Sequence, residues 1–347
     1  MDQIAGRAVW RELWHQQAPI FAALVLAGIA ASYLQHGSAP AGKNPFPLAG
    51  IYVPVWHVIW MGAWTGYTMA LVGEASGIFA LPYSISVLQF SNPHVTPTTQ
   101  LLTFLNPLGA LLGFRSGGQW NLDLARWVCA GGIAGGLIGP FLRIGFFAEP
   151  KPFQLLVGLM LALVGLHLLY EALVRTRTKT VVGNDGFGGA PRVETISKSG
   201  GRTVIAYYGA RWSLSNVALF STGAGVGVVA SALGVGGGFL LVPIFAAFFR
   251  LPMYVLVAAT IPYVVVLSAV GLITYTTLMP LVTSTSLGPE WSWGFFAAAG
   301  GVLGSWFAAK TQRLVPEHVL KLMLGGVTGL AGSLYVTNFF WPLPFRL

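Results

Sequence analysis

The chain has 347 residues, of which 55% are hydrophobic and only 8% charged. A soluble domain carries about a quarter charged residues, so a soluble fold of this size would have almost nothing to put on its surface. A membrane β-barrel is excluded as well, because its signal is short alternating segments rather than long runs rich in Ala, Leu and Gly. The formal charge of +9 would suggest nucleic acid in a soluble protein, but here the basic residues lie mostly in loops between apolar runs, where lipid headgroups and topology explain them.

Residues 18–34 form the first apolar run, preceded by Arg7 and Arg11. They are read as an extra, uncleaved N-terminal membrane helix within a region 1–50. A long segment over 51–90 follows, interrupted at Gly73-Glu74-Ala75-Ser76-Gly77. Three plain spans come next, at about 98–114, 124–147 and 152–174, each near the ~20 residues a membrane helix needs. The single cysteine, Cys129, excludes an internal disulfide and a cysteine-based metal cage. The long polar stretch 175–213, with Gly183-Asn-Asp-Gly-Phe-Gly-Gly inside it, reads as a flexible cytoplasmic linker. After it the pattern returns. A segment over 214–250 is interrupted at Gly234-Val-Gly-Gly-Gly238, three spans lie at about 254–279, 291–309 and 318–340, and 341–347 is a tail.

The return is a duplication. A shift of 161 positions carries Gly62, Gly66, Gly73, Gly77 and Pro82 onto Gly223, Gly227, Gly234, Gly238 and Pro243, and Thr99 onto Thr260. One glycine match means little, since small residues recur wherever membrane helices pack closely. Five in register, followed by apolar runs in the same order, make 51–174 and 214–340 two copies of one unit.

Charge chooses their relative orientation. If each interrupted segment crosses once, the copies are parallel, and Lys and Arg divide almost evenly between the two sides. If each is a re-entrant or broken hairpin, the copies are inverted. Fifteen of the nineteen Lys and Arg then fall on the linker side, leaving only Lys43, Arg143, Lys151 and Arg346 opposite. Cytoplasmic loops carry the excess of positive charge, so the expected fold is an all-α polytopic integral membrane protein. It has two inverted repeats, each a helical hairpin plus three spans, with one extra N-terminal helix. The N-terminus and linker are expected on the cytoplasmic side of the plasma membrane.

Inverted repeats with broken segments are the architecture of secondary transporters. The helix after each break runs about 13 residues, roughly 20 Å, too short to cross. Its N-terminus therefore sits at membrane depth with free N–H groups and the positive end of a dipole, suited to an anion.

Gly234-Val-Gly-Gly-Gly-Phe-Leu-Leu-Val-Pro243, with Gly223 and Gly227 before it and Ala258-Ala-Thr260 after, resembles the signature of the sulfite exporter TauE/SafE family. The resemblance covers about 51–340. It implies a duplicated membrane transporter for the export or uptake of sulfite and small organosulfur anions. The first copy departs from the pattern, with Glu74-Ala75-Ser76 at the glycine-rich centre and Thr98-Thr99-Gln100 in place of a small-residue and threonine run.

Substrate-binding candidates are Gly73, Ser76, Gly77, Thr98, Thr99 and Gln100 in the first copy, and Gly234, Gly236, Gly237, Gly238 and Thr260 in the second. Each has a blander reading. The glycines serve tight packing, the threonines bond their own helices, and Gln100 and Asn106 join neighbouring helices. His57 and His167 read as buried histidines with one partner each. Trp56, Trp60, Trp291, Trp293 and Trp341 read as interface anchors. Glu74, the only acidic residue between Lys43 and Arg115, is either a proton-coupling carboxyl or a cap for the N–H groups of the half-helix. No metal-ligand spacing and no nucleophile–base pair points to a metal, a cofactor or an enzyme. The expected partners are a small anion, protons as a candidate coupling ion, the lipid bilayer and a second copy of the chain, with no nucleic acid. An anion channel of the same architecture and a non-transporting assembly subunit are the competing readings.

Overall fold

The computed structural model describes residues 13–42, 44–72, 76–90, 92–108, 121–174, 193–207, 209–251, 253–283, 287–311 and 317–341. Helix α1 (Leu13–His36) is followed by α2 (Val55–Val72), the short α3 (Gly77–Val87), α4 (Val95–Leu105), α5 (Leu122–Phe147) and α6 (Pro150–Val174). Beyond 193 come α7 (Asn216–Leu233), the short α8 (Gly238–Ala247), α9 (Met253–Ile273, continuing to residue 283), α10 (Trp291–Thr311) and α11 (Glu317–Phe340). Their ends carry local signals. Asn121 accepts from the Leu124 amide at 2.9 Å to start α5, and Gly37, left-handed at φ +72°, closes α1 by donating to the Tyr33 carbonyl.

Among the described residues, five helices are long and apolar enough to cross a membrane: Leu13–His36, Leu122–Phe147, Pro150–Leu173, Asn216–Leu233 and Ala259–Thr283. The exterior matches. Leu159, Leu163 and Leu166 on α6 and Met323, Val327 and Leu330 on α11 are exposed in stripes at helical spacing, surfaces that suit lipid and not water. The expectation for Trp293 is corrected: it is fully buried, edge-on to Phe90 at 6.3 Å, whereas Trp56, Trp60 and Trp341 stand exposed.

Each interrupted segment folds back on itself. Phe79 and Tyr83 of α3 pack on Trp64 of α2, and the Tyr83 hydroxyl meets His57 Nε2, near the start of α2, at 2.8 Å. Asn92, past α3, donates to the Leu48 carbonyl, ahead of α2, at 2.9 Å. In the second segment Trp212 Nε1, ahead of α7, donates to the Arg250 carbonyl, past α8, at 3.2 Å. Both segments are hairpins whose two ends lie together. The bounds of α2 and α7 differ by 161 positions at both ends, the offset read in the sequence.

Glycines let the remaining helices approach backbone to backbone. Gly62 and Gly66 of α2 lie on Ala297 and Gly301 of α10, and Gly131, Gly135 and Gly139 of α5 lie successively on Gly223, Gly227 and Val228 of α7, so both pairs run parallel. Gly158 of α6 meets Gly332 and Tyr335 of α11 while Gly165 meets Gly325 and Gly329, so that pair runs antiparallel. Helices α4 and α9 are antiparallel too: Thr103 Oγ1 and Ser268 Oγ are 3.0 Å apart, and Gly271, a turn further along α9, makes room for Gln100, a turn earlier on α4.

The polar stretch corrects two expectations, a flexible linker and an all-α chain. Residues 175–192, including Gly183–Gly189, lie outside the described residues. Beyond them, β1 (Glu194–Ser199), β2 (Arg202–Tyr207) and β3 (Ala210–Ser215) form an antiparallel meander in that order. Gly200 and Gly201, at φ +59° and +71°, supply the tight turn between β1 and β2 that only residues tolerant of positive φ accept. Asn121 Nδ2 donates to the Val193 carbonyl at 3.2 Å and Lys198 pairs with Asp123, which fastens the sheet to the start of α5.

Candidate functional site

The second break is built by left-handed backbone. Gly234, Gly236 and Gly237 have φ of +79°, +79° and +76°, a conformation costing an L-residue with a side chain about 1–2 kcal/mol each. Gly234 caps α7 through its N–H to the Ala230 carbonyl, and Gly237 precedes α8. The glycines are thus required by the path of the chain itself. That path leaves the amides of Gly236, Gly237, Gly238 and Phe239 with no backbone acceptor among the described residues, at the positive end of α8.

The two breaks meet. A Cβ built on Gly77, at the start of α3, would lie 2.7 Å from Val235 Cα, 2.7 Å from Thr103 Cγ2 and 3.1 Å from the Gly234 carbonyl. Helix α4 closes the same junction from the side: a Cβ on Gly234 would lie 2.5 Å from the Thr96 carbonyl and 2.7 Å from Thr99 Oγ1. The junction of α3, α4 and the α7–α8 break therefore brings together Gly77, with Ser76 next to it in the chain, Thr99 and Gly234, while Gln100 reaches Ser231 of α7 and Gly237 packs on Tyr263 and Leu267 of α9. Gly73 and Glu74 lie outside the described residues.

Polar atoms here fall into two sets. Thr99 Oγ1 donates to the carbonyls of Val95 and Thr96 in its own helix, at 3.0 Å each, and Gln100 Nε2 donates to Ser231 Oγ at 3.0 Å. Thr98 points elsewhere. Its hydroxyl donates to the His94 carbonyl and accepts the Glu290 amide at 2.9 Å, holding α4 to the start of α10. The second set is buried with no partner among the described residues: Ser76 Oγ and Gln100 Oε1 at the junction, both amide atoms of Asn106, which packs on Gly301 of α10, and Thr260 Oγ1 on α9. A buried polar atom left unpaired costs about 1–3 kcal/mol, so each of them marks a place where another polar group would be stabilised.

Sequence reasoning misses Arg143. It is counted there as a charge on the outer side, yet on α5 it is buried to 1% exposure, with Nε donating to Thr96 Oγ1 at 3.2 Å. The helical position of 143 inside an apolar run is a legible signal, since an intramembrane charge is functional by default. Among the described residues no group of three or more His, Cys, Asp and Glu is arranged to hold a metal.

A family model described as "Sulfite exporter TauE/SafE" matches this chain over residues 7–168 and 58–335. A curated relative, a "Probable membrane transporter protein" of Xylella fastidiosa (strain Temecula1 / ATCC 700964), is 28% identical over 186 residues. That match spans 52% of this chain and 59% of the relative's length. No solved structure matches.

Proposed function

The chain belongs to the sulfite exporter TauE/SafE family, and from that premise we propose that it is a secondary transporter of a small anion, sulfite or a related sulfur-containing anion, held between the N-termini of α3 and α8. The observation that carries this reading is the meeting of Gly77 with Gly234 and Val235. The start of α3 meets the break that leads into α8, whose amides have no backbone acceptor and beside which the Ser76 hydroxyl has no partner among the described residues.

The antiparallel pairing of α6 with α11 and of α4 with α9 supports inverted repeats. The members of each pair are sequence equivalents, and a two-fold axis along the membrane normal would have left them parallel. On that arrangement the membrane is the cytoplasmic one, with the linker and N-terminus inside. Substrate access alternates as one hairpin rocks against the other, and Glu74 is the candidate for coupling to protons. The smooth glycine faces between α2 and α10 and between α5 and α7 are suited to such sliding.

The test is reconstitution of the full chain in proteoliposomes with labelled sulfite on one side. Saturable flux that rises under an imposed pH gradient and shows counterflow exchange supports the transporter. Non-saturating flux without counterflow identifies a channel, and no flux of any sulfur oxyanion sinks the proposal.

A further inference from the structure

We propose that Arg143, with the Tyr275 hydroxyl beside it, forms the charged recognition point for an oxyanion at the edge of the α7–α8 break. The inference rests on the reading that this centre receives an anion, and it adds the residue that would select one bearing adjacent oxygens. The Arg143 guanidinium makes no ion pair among the described residues, its Nη1 is buried without an acceptor, and Nε is spent on Thr96. One face lies 3.7 Å above the Phe153 ring centroid, and Nη1 remains a buried donor with no acceptor among the described residues.

Tyr275 is also fully buried, its hydroxyl has no partner among the described residues, and it lies near enough to Arg143 for the two to interact electrostatically; Phe141 and Ile144 of α5 pack against the small cluster that Tyr275 forms with Met279 and Leu287. Two buried donors of this kind in one neighbourhood have no shared acceptor among the described residues. Thr96 ties the pair to the site, because the residue that receives Arg143 Nε also presses its carbonyl and methyl on Gly234. Burying a cation without a counter-charge costs several kcal/mol. An oxyanion would supply that charge and accept from the guanidinium edge and from the phenol together. A halide, a point acceptor, matches the fork less well.

The purified full chain is unfolded thermally in detergent with sulfite, sulfate or chloride at equal ionic strength, as wild type, Arg143→Gln, Arg143→Lys and Tyr275→Phe. Sulfite is expected to raise the wild-type midpoint relative to chloride. Its apparent dissociation constant should rise about tenfold or more in Arg143→Gln, the scale of one lost charge-assisted bond, and less in Tyr275→Phe. If Arg143→Gln fails to fold, Arg143→Lys and Tyr275→Phe decide by the same measurement. Wild-type dissociation constants in the folded variants, or a wild type that neither oxyanion stabilises more than chloride, overturn the proposal. Arg143-dependent sulfite binding without sulfite flux would keep this inference and remove the transport reading. Flux in Arg143→Gln with an unchanged KM would do the reverse.

Discussion

Gly77 and Val235 belong to different hairpins, 158 positions apart in the chain, yet no side chain fits between them: a Cβ on Gly77 would fall 2.7 Å from Val235 Cα. Gly77 sits in helical backbone and is absent from the left-handed positions, so glycine is required there by this approach alone. The other break is different. Gly234, Gly236 and Gly237 are fixed by their φ angles, and there a substitution strains the turn whatever space is available.

That contrast makes Gly77 the cleaner probe. Gly77→Ala introduces no backbone strain, but the methyl group has to push the two breaks apart, and overpacking of this kind costs about 1–3 kcal/mol. The expected outcome is a folded, membrane-inserted protein with a slightly lower thermal midpoint and a large loss of sulfite flux in proteoliposomes. Wild-type flux from Gly77→Ala would mean the contact between the hairpins has no part in transport.

The topology is tested independently of any substrate. In a Cys129→Ala background, single cysteines at Ser38, exposed between α1 and α2, and Ser197, exposed on β1, are placed on opposite sides by the charge argument. An impermeant thiol reagent on intact cells should label the cysteine at 38 and reach the one at 197 only after the membrane is opened. The reverse pattern would turn the whole molecule over, and labelling of both would break the inverted arrangement.

The two hairpins, most helix bounds and the position of the second break are legible in the sequence because glycine and apolar runs act locally, and the 161-residue shift lets one half vouch for the other; the span read at 98–114 differs, its helix being Val95–Leu105. The sheet is easily passed over, although Ser199-Gly200-Gly201-Arg202 between Thr195-Ile196 and Thr203-Val204-Ile205 is a hairpin signal. Composition alone turns a long polar stretch in a membrane protein into a linker. Thr98 and Thr99 cannot be separated in sequence. Their neighbouring positions on α4 turn one hydroxyl to Glu290 and the other to Gly234, and only the packed helices decide which is which. Arg143 shows a different gap: a positive-inside count treats an arginine near a helix end as a topological marker, whether it faces headgroups or the protein interior.

Glu74 lies between Val72 and Ser76 at the first break, and its role divides by ionisation. A carboxyl that takes up and releases a proton in each cycle must titrate, so Glu74→Gln should stop proton-driven net flux and leave counterflow exchange running. A capping acceptor needs only an oxygen, which the glutamine amide keeps. Full pH-dependent net flux from Glu74→Gln would therefore remove the proton-coupling role.

Thr99 and Thr260 are equivalent in the repeat but not in their bonding, and the difference gives a test of whether Thr260 is a binding hydroxyl. Thr99 Oγ1 is satisfied by its own helix, whereas Thr260 Oγ1 is buried with no partner among the described residues. Replacing an unpaired buried hydroxyl by a methyl group of nearly the same shape removes a desolvation cost and no protein hydrogen bond. Without substrate, Thr260→Val should be as thermally stable as wild type or more so. With sulfite present, that variant should lose part of the ligand-induced rise in midpoint and show a KM raised several-fold, about the effect of one neutral hydrogen bond of ~1 kcal/mol. Thr99→Val removes bonds to carbonyls that remain paired within α4, so its effect on both readings should be small. If Thr260→Val instead destabilises the ligand-free protein while sulfite binding is unchanged, the hydroxyl has a partner inside the protein and the centre of the site lies elsewhere.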